Sequence, residues 1–250
     1  MMPRLLCLLL ITLWPVAGIT ATATVAVSSN FRTTFEQLNL AFEKTHPHQL
    51  KLVSAATGVL YQQILQGAPF NILLAADSWH PQLLEQQGKV ANNSRFTYAT
   101  GELVLIGAAQ LDGNPEQAIK QLLKIDISKL AIANPDTAPY GLAAQQVLEH
   151  LGLWSSLQSK LVRAANIAQA FQYVDSGSAN LGLVAWSQAI HRQVPYQKIP
   201  GDWYTPIQQQ AILLQSGANN PAARDFIRFM KSPTARNIIR KDGYTVMEQD

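Results

Sequence analysis

The sequence predicts an α/β protein of two lobes, each a mainly parallel sheet flanked by helices, with a ligand cleft between the lobes. Three observations predict it. Short apolar runs of strand type alternate with stretches of helical period, and that alternation needs parallel strands joined by helical crossovers. Joints at which a strand passes directly into a helix recur, two in each half of the chain. A crossing near Thr100-Gly101 and a late apolar run at 211–214 mark where the chain leaves the first lobe and where it comes back.

Taken in order, residues 24–28 (TVAVS) have strand character. Ser29 and Asn30 are helix-capping types, and 31–44 places Phe31, Phe35, Leu38 and Phe42 on one helical face. His46-Pro47-His48 breaks that helix before the strand 50–53. Ser54 to Gly58 then leads into a helix over 59–66, stopped by Gly67-Ala68-Pro69. Residues 70–75 are nearly all apolar, as a strand covered on both faces should be. A helix over 77–88 ends at Gly88, and 98–106 reads as one strand.

The third joint is the most telling. Leu130 to Ala133 is a short apolar strand, Leu142, Ala143, Val147 and Leu148 recur at helical spacing, and Asn134 to Gly141 lies between them. A helix beginning near Tyr140 directs unpaired N–H groups out of that loop. The fourth joint runs from the strand 161–164 through Ala165-Asn166-Ile167 into a helix over 168–174. Strands at 181–185 and 211–214 follow, and two amphipathic helices, 221–231 and 232–241, close the chain. The lobes are expected at 24–100 plus 218–250 and at 101–217.

Composition narrows the class. The chain has 250 residues, 48% hydrophobic and 14% charged, with a formal charge of +3 and no run of Lys or Arg. That is ordinary globular material, without the basic stripe nucleic acid needs. Residues 1–23 read as a secretory signal peptide: Arg4, then a mostly apolar run from Leu5 to Val16, then small residues. The only cysteine, Cys7, falls inside it, so the exported chain has no disulfide. No later apolar run approaches the roughly 20 residues of a membrane span. A soluble periplasmic monomer is expected.

The joints offer Ser29, Asn30, Thr57, Tyr140 and the backbone N–H around Gly58, Gly141 and Ile167, all uncharged. Each helix terminus contributes about 0.3–2 kcal/mol towards an anion, whereas micromolar affinity needs about 8. Charge-assisted hydrogen bonds of about 1.5–3 kcal/mol each must supply the difference. Hydrogen phosphate would need an acceptor for its proton, and the loops offer only Asp136. A fully deprotonated tetrahedral oxyanion such as sulfate, molybdate or tungstate suits the donors better. The histidines lack metal-ligand spacing apart from His46 and His48 in a turn, and no nucleophile with a base, paired carboxylates or phosphate-binding glycine loop stands out. No enzyme activity, cofactor or direct protein–metal ligand is expected.

The segments AVSSNF (26–31), TGVLYQQILQGAPFNILLAAD (57–77), YATGELVLI (98–106), ANPDTAPYGLAAQQVL (133–148), ANLGLVA (179–185) and FMKSPTARNIIRKDGY (229–244) resemble, in order and spacing, the periplasmic molybdate-binding proteins of molybdate ABC transporters. The resemblance implies a type II periplasmic binding protein fold, molybdate or tungstate as ligand with molybdenum present only within the oxyanion, and an inner-membrane ABC permease as partner. It further implies that Ser29, Asn30, Thr57, Tyr140 and Ile167 hold the oxyanion. Thr57 stands where serine is commoner in that family, Ala55-Ala56 replace hydroxyl residues, and Ala185 occupies the position of a late tyrosine used by other members. Three alternatives stay open: a receptor for another oxyanion or organic anion, an exported α/β enzyme acting on phosphate esters, and a sensor that keeps the fold without the ligand.

Overall fold

The computed structural model describes residues 20–91, 93–107, 116–117, 119–120 and 128–247. The strand β1 (Thr22–Ser28) runs through a 3-10 turn (Ser29–Phe31) into α1 (Arg32–Glu43), followed by β2 (Gln49–Ala55), α2 (Thr57–Leu65), β3 (Ile72–Leu74), α3 (Trp79–Gln86) and β4 (Phe96–Gly101). Then come β5 (Leu103–Ile106), β6 (Leu130–Ala133), α4 (Pro139–His150), α5 (Trp154–Leu157), β7 (Leu161–Ala164), α6 (Ile167–Asp175), β8 (Leu181–Ala185), α7 (Trp186–Arg192) and β9 (Tyr196–Lys198). The chain returns through β10 (Ile207–Leu213) and finishes with α8 (Pro221–Phe229) and α9 (Pro233–Lys241).

Two five-stranded sheets result, ordered β2-β1-β3-β10-β4 and β7-β6-β8-β5-β9. In each, three strands pair in parallel: β2, β1 and β3 in the first, β7, β6 and β8 in the second. The fourth strand of each sheet is antiparallel and is the one that arrives from the other lobe: β10 against β3, and β5 against β8. A strand fed from the far lobe enters at the opposite end, so its direction reverses. The sheets are therefore mixed, with a parallel core.

That geometry also breaks the strand the sequence pattern runs from 98 to 106. Gly101 pairs with Ile207 in the first sheet and Leu103 with Ala185 in the second, so the lobes part at Glu102. On the return, residues 207–213 hydrogen-bond to β3 and β4, whereas the pattern leaves 207–217 in the second lobe. The correction has a simple cause: Gln208, Gln209 and Gln210 hide the strand period ahead of Ala211. Residues 1–19 of the leader that the sequence pattern predicts lie outside the described residues, but 21–23, which that pattern includes in it, are built into the sheet. The Ala21 carbonyl accepts from the Gln49 amide at 3.0 Å, Ala23 pairs with Leu50, and Ala23 is fully buried.

The helices cover the sheets with the faces their spacing implies. In α1, Thr34, Phe35, Leu38 and Phe42 are buried. Phe226 of α8 meets Phe35 and Phe42 edge-on, with ring centroids 5.6 and 5.4 Å apart, which ties the end of the chain to its beginning. Both α8 and α9 begin with Pro in the first turn and are capped by Asn220 and Ser232, whose side chains accept from Ala223 and Ala235 amides. No helix among the described residues is long and apolar enough to cross a membrane.

Because Ala21 to Ala23 complete the start of β1, an interior strand of the first sheet, the N-terminus of the mature chain is expected at or before Ala21. Intact-mass measurement of the secreted protein checks this; a terminus after Ala23 would contradict it.

Candidate functional site

Five of the six parallel strands end in small residues, Ser28 and Ala55 in the first sheet and Ala133, Ala164 and Ala185 in the second, while β3 ends at Leu74. Small ends let the helix starts that follow approach one another. Thr57 opens α2, Pro139 and Tyr140 open α4, and Ile167 opens α6, so each carries first-turn N–H groups that its own helix cannot satisfy. The 3-10 turn at Ser29, α2 and α4 have no side-chain cap, unlike the two C-terminal helices. In α6, Asn166 accepts from the Gln169 amide at 3.1 Å and Gln169 accepts from the Ala165 amide at 2.7 Å. That box serves Ala165 and Gln169 and leaves the Ile167 amide at the helix mouth.

The five residues singled out in the sequence are all buried: Ser29, Asn30, Thr57, Tyr140 and Ile167. Thr57 is fully enclosed; its hydroxyl accepts from the Ala76 amide at 3.0 Å and donates to the Ser28 hydroxyl at 3.1 Å, binding the ends of β1 and β3 to the start of α2. The Asn30 side chain donates to the Gln209 carbonyl oxygen at 2.9 Å, and the Gln209 amide donates to the Tyr140 hydroxyl at 3.3 Å. Gln209 therefore joins the first joint to the third. The start of α6 packs against the 3-10 turn, and Ser29 and Asn166 line one shared groove. The structure thus gathers four separate stretches of sequence at one place.

Direct contacts hold the lobes together there. The Gly58 amide donates to the Thr137 carbonyl across the cleft at 2.9 Å, and a Cβ on Gly58 would stand 2.9 Å from that same oxygen. Gly101 is needed for a similar reason, since a Cβ there would overlap the Tyr140 hydroxyl. Ala56 is buried in the same apolar cluster as Ala138 and Tyr140, which accounts for a methyl where a hydroxyl was expected. On the other side, Tyr244 donates to the Asn30 carbonyl at 2.9 Å and lies 2.9 Å from the Ser187 hydroxyl of α7.

The hydrogen-bonding side chains of this network are neutral. Burial, with the neighbouring Tyr244 second, holds the Tyr98 and Tyr140 phenols well above the usual value, and burial raises Tyr244 too, so all three keep their protons. Asp77 is occupied by His80, with 3.0 Å to its amide and 2.7 Å to its ring, and Asp136 is exposed. Among the described residues no group of three or more His, Cys, Asp or Glu gathers as a metal site. The arrangement can enclose a dehydrated anion that needs donors and brings no proton of its own.

Three participants escape a reading of the sequence. Ser28 looks like the last residue of a strand, Tyr244 like a stray residue after a helix-ending glycine, and Gln209 is one of three consecutive glutamines. Only the strand register shows that Gln209 points inward, fully buried, while Gln208 is exposed. The Tyr140 side chain runs back to the hinge strand β10, so what Tyr140 offers at the helix mouth is its amide.

Comparison with known proteins adds to this geometry. A family model described as bacterial extracellular solute-binding protein matches residues 23–245. The molybdate-binding protein ModA of Azotobacter vinelandii is 43% identical over 225 residues, covering 88% of each chain. The molybdate-binding protein ModA of Rhodobacter capsulatus is 39% identical over 220 residues, covering 88% of this chain and 86% of the other. The solved Azotobacter vinelandii periplasmic molybdate-binding protein superposes with a TM-score of 0.84 at 39% identity, covering 90% of this chain and 100% of that one.

The buried phenols make a testable statement about pH. Their unfolded counterparts ionise near pH 10, below the folded values, so the stability they contribute is fully present under about pH 10 and is lost as pH rises beyond it. Thermal midpoints are expected to hold level between about pH 7 and 9 and to fall above about 10, less steeply in Tyr98→Phe. A midpoint indifferent to alkali would contradict the network.

Proposed function

We propose, for a chain that belongs to the bacterial extracellular solute-binding protein family and within it to the molybdate-binding proteins, that the cleft between its sheets takes up molybdate, and tungstate with it. The loaded protein then delivers the oxyanion in the periplasm to the permease of an ABC transporter. It acts as a carrier, not a catalyst. The observation that carries this reading is the convergence of four uncapped or partly capped helix starts, from two lobes, on a buried network of uncharged donors.

Magnitudes support it. Five charge-assisted hydrogen bonds at about 1.5–3 kcal/mol give roughly 8–15 kcal/mol before the cost of association, so micromolar or tighter binding is within reach without a charged residue. Enclosure matters because the same bonds are weaker in water. The Gly58–Thr137 contact supports a closure that seals the site: it brings two backbones together only because Gly58 lacks a side chain. Selectivity follows from the sign of the lining. Hydrogen phosphate would bring a donor to a site whose nearby carboxylates are engaged or exposed, and it would leave that donor unpaired.

Ser29, Asn30, Thr57, Tyr140 and Ile167 are the residues we assign to the oxyanion, with Thr57, Tyr140 and Ile167 acting through their amides. Calorimetric titration with molybdate, tungstate, sulfate and phosphate decides the matter. Heat with the first two and little with hydrogen phosphate is expected; none with molybdate would end the proposal. Thr57→Val, which removes the hydroxyl that ties Ser28 and Ala76 to the mouth of α2, is expected to weaken molybdate binding about tenfold or more while Thr57→Ser stays within a few-fold. Gly58→Ala, which obstructs closure, is expected to weaken it without touching a donor.

A further inference from the structure

Gln209 is a fully buried carboxamide on a strand whose neighbours Ile207, Ala211, Ile212 and Leu213 are apolar and buried. A buried amide is costly unless its hydrogen bonds are made, so its place in the strand rests on them. It has three partners: Asn30 at 2.9 Å, the Tyr98 hydroxyl at 3.1 Å and the Tyr140 hydroxyl at 3.3 Å. Asn30 also meets the Tyr244 hydroxyl at 3.1 Å. The opposite end of the Asn30 carboxamide, its Oδ1, is buried with no partner in the structure.

A carboxamide fills the same volume with its ends exchanged, so this pair has two arrangements. In one, Asn30 donates to Gln209 and Tyr244, and a bare carbonyl is left at the first joint. In the other, both carboxamides are turned over. Gln209 then donates to Asn30 and to Tyr98, whose own proton goes to the Ala75 carbonyl at 3.2 Å, and the Tyr140 hydroxyl donates to Gln209. Tyr244 turns its proton from the Asn30 backbone carbonyl to Asn30 Oδ1, the Ser187 hydroxyl at 3.5 Å remains as donor to that backbone oxygen, and the Asn30 NH2 takes the unpartnered position. An oxyanion repels the first arrangement and satisfies the second.

We propose that Gln209 is the positioning residue of the site: by donating to the Asn30 carbonyl it holds the Asn30 NH2 towards the bound oxyanion. The inference rests on the receptor reading above and adds its selector. Gln209 stands on the strand through which the chain re-enters the first lobe, and besides Asn30 and Tyr98 of that lobe it contacts Tyr140 of the second. The donor at the first joint is therefore set by a residue that also senses the position of the other lobe. Gln209 touches the oxyanion nowhere in this scheme; it acts through Asn30.

The test is a double-mutant cycle read by calorimetry with sodium molybdate on the mature protein, using Gln209→Met, Asn30→Ala and the two combined. Gln209→Met is expected to weaken binding about tenfold, and to change it less than about twofold once Asn30→Ala is present. Gln209→Glu is the second variant: its carboxylate can only accept, pins the Asn30 NH2 away from the oxyanion, and so is expected to bind worse at about pH 8 than at about pH 6. Melting curves confirm that each variant is folded. Wild-type affinity in Gln209→Met, or the same loss with and without Asn30, would overturn the proposal while leaving the receptor reading intact. A wild-type protein that gives no heat with molybdate removes the receptor reading and this inference together.

Discussion

The structure depends on one constraint: polar groups at the ends of two sheets must be buried where the lobes meet, and each must find a partner there. Helix starts cannot satisfy their own first amides, and a closed interface removes the water that would. The protein meets part of the need internally. Thr57 links Ser28 to Ala76, Asn166 and Gln169 cap each other's segments, and Gln209 ties Asn30 to Tyr140. What remains is the amides at three helix mouths and, in the proposed arrangement, the Asn30 NH2, a set of donors that suits an anion.

In the proposed receptor, the absence of charge in that lining is itself functional. A lysine or arginine would raise affinity for any anion, including protonated ones, and would have to be desolvated in each closure. Neutral donors bind only when several are positioned together, which on the proposed reading would tie affinity to closure and discrimination to the direction of each hydrogen bond. The hinge strands make that direction a property of both lobes, since β4 and β10 carry Gly101 and Gln209 side by side against Tyr140.

Much of the fold, and the candidates for the site, were legible in the sequence, for physical reasons. The two periods of the backbone mark the strands and helices, and capping residues and glycines mark the joints, which is why Ser29, Asn30, Thr57, Tyr140 and Ile167 stand out in a linear reading. The rest depends on long-range pairing that leaves no local trace. Gln209 and Gln208 are chemically identical neighbours, and only the register with β4 and β3 sends one inward. The break at Glu102 is invisible because both flanking segments are good strand sequence; it exists because they join different sheets. The direction of the Tyr140 side chain is likewise settled by a residue 69 positions away.

The central claim is that one bound oxyanion is held at once by amides of both lobes. Amide nuclear magnetic resonance of the labelled mature protein during a molybdate titration tests it most directly. The account predicts that the Thr57 amide of the first lobe and the Tyr140 and Ile167 amides of the second shift downfield together, with a single stoichiometric end point. Shifts confined to one lobe, or spread over the surface without those three, would contradict it.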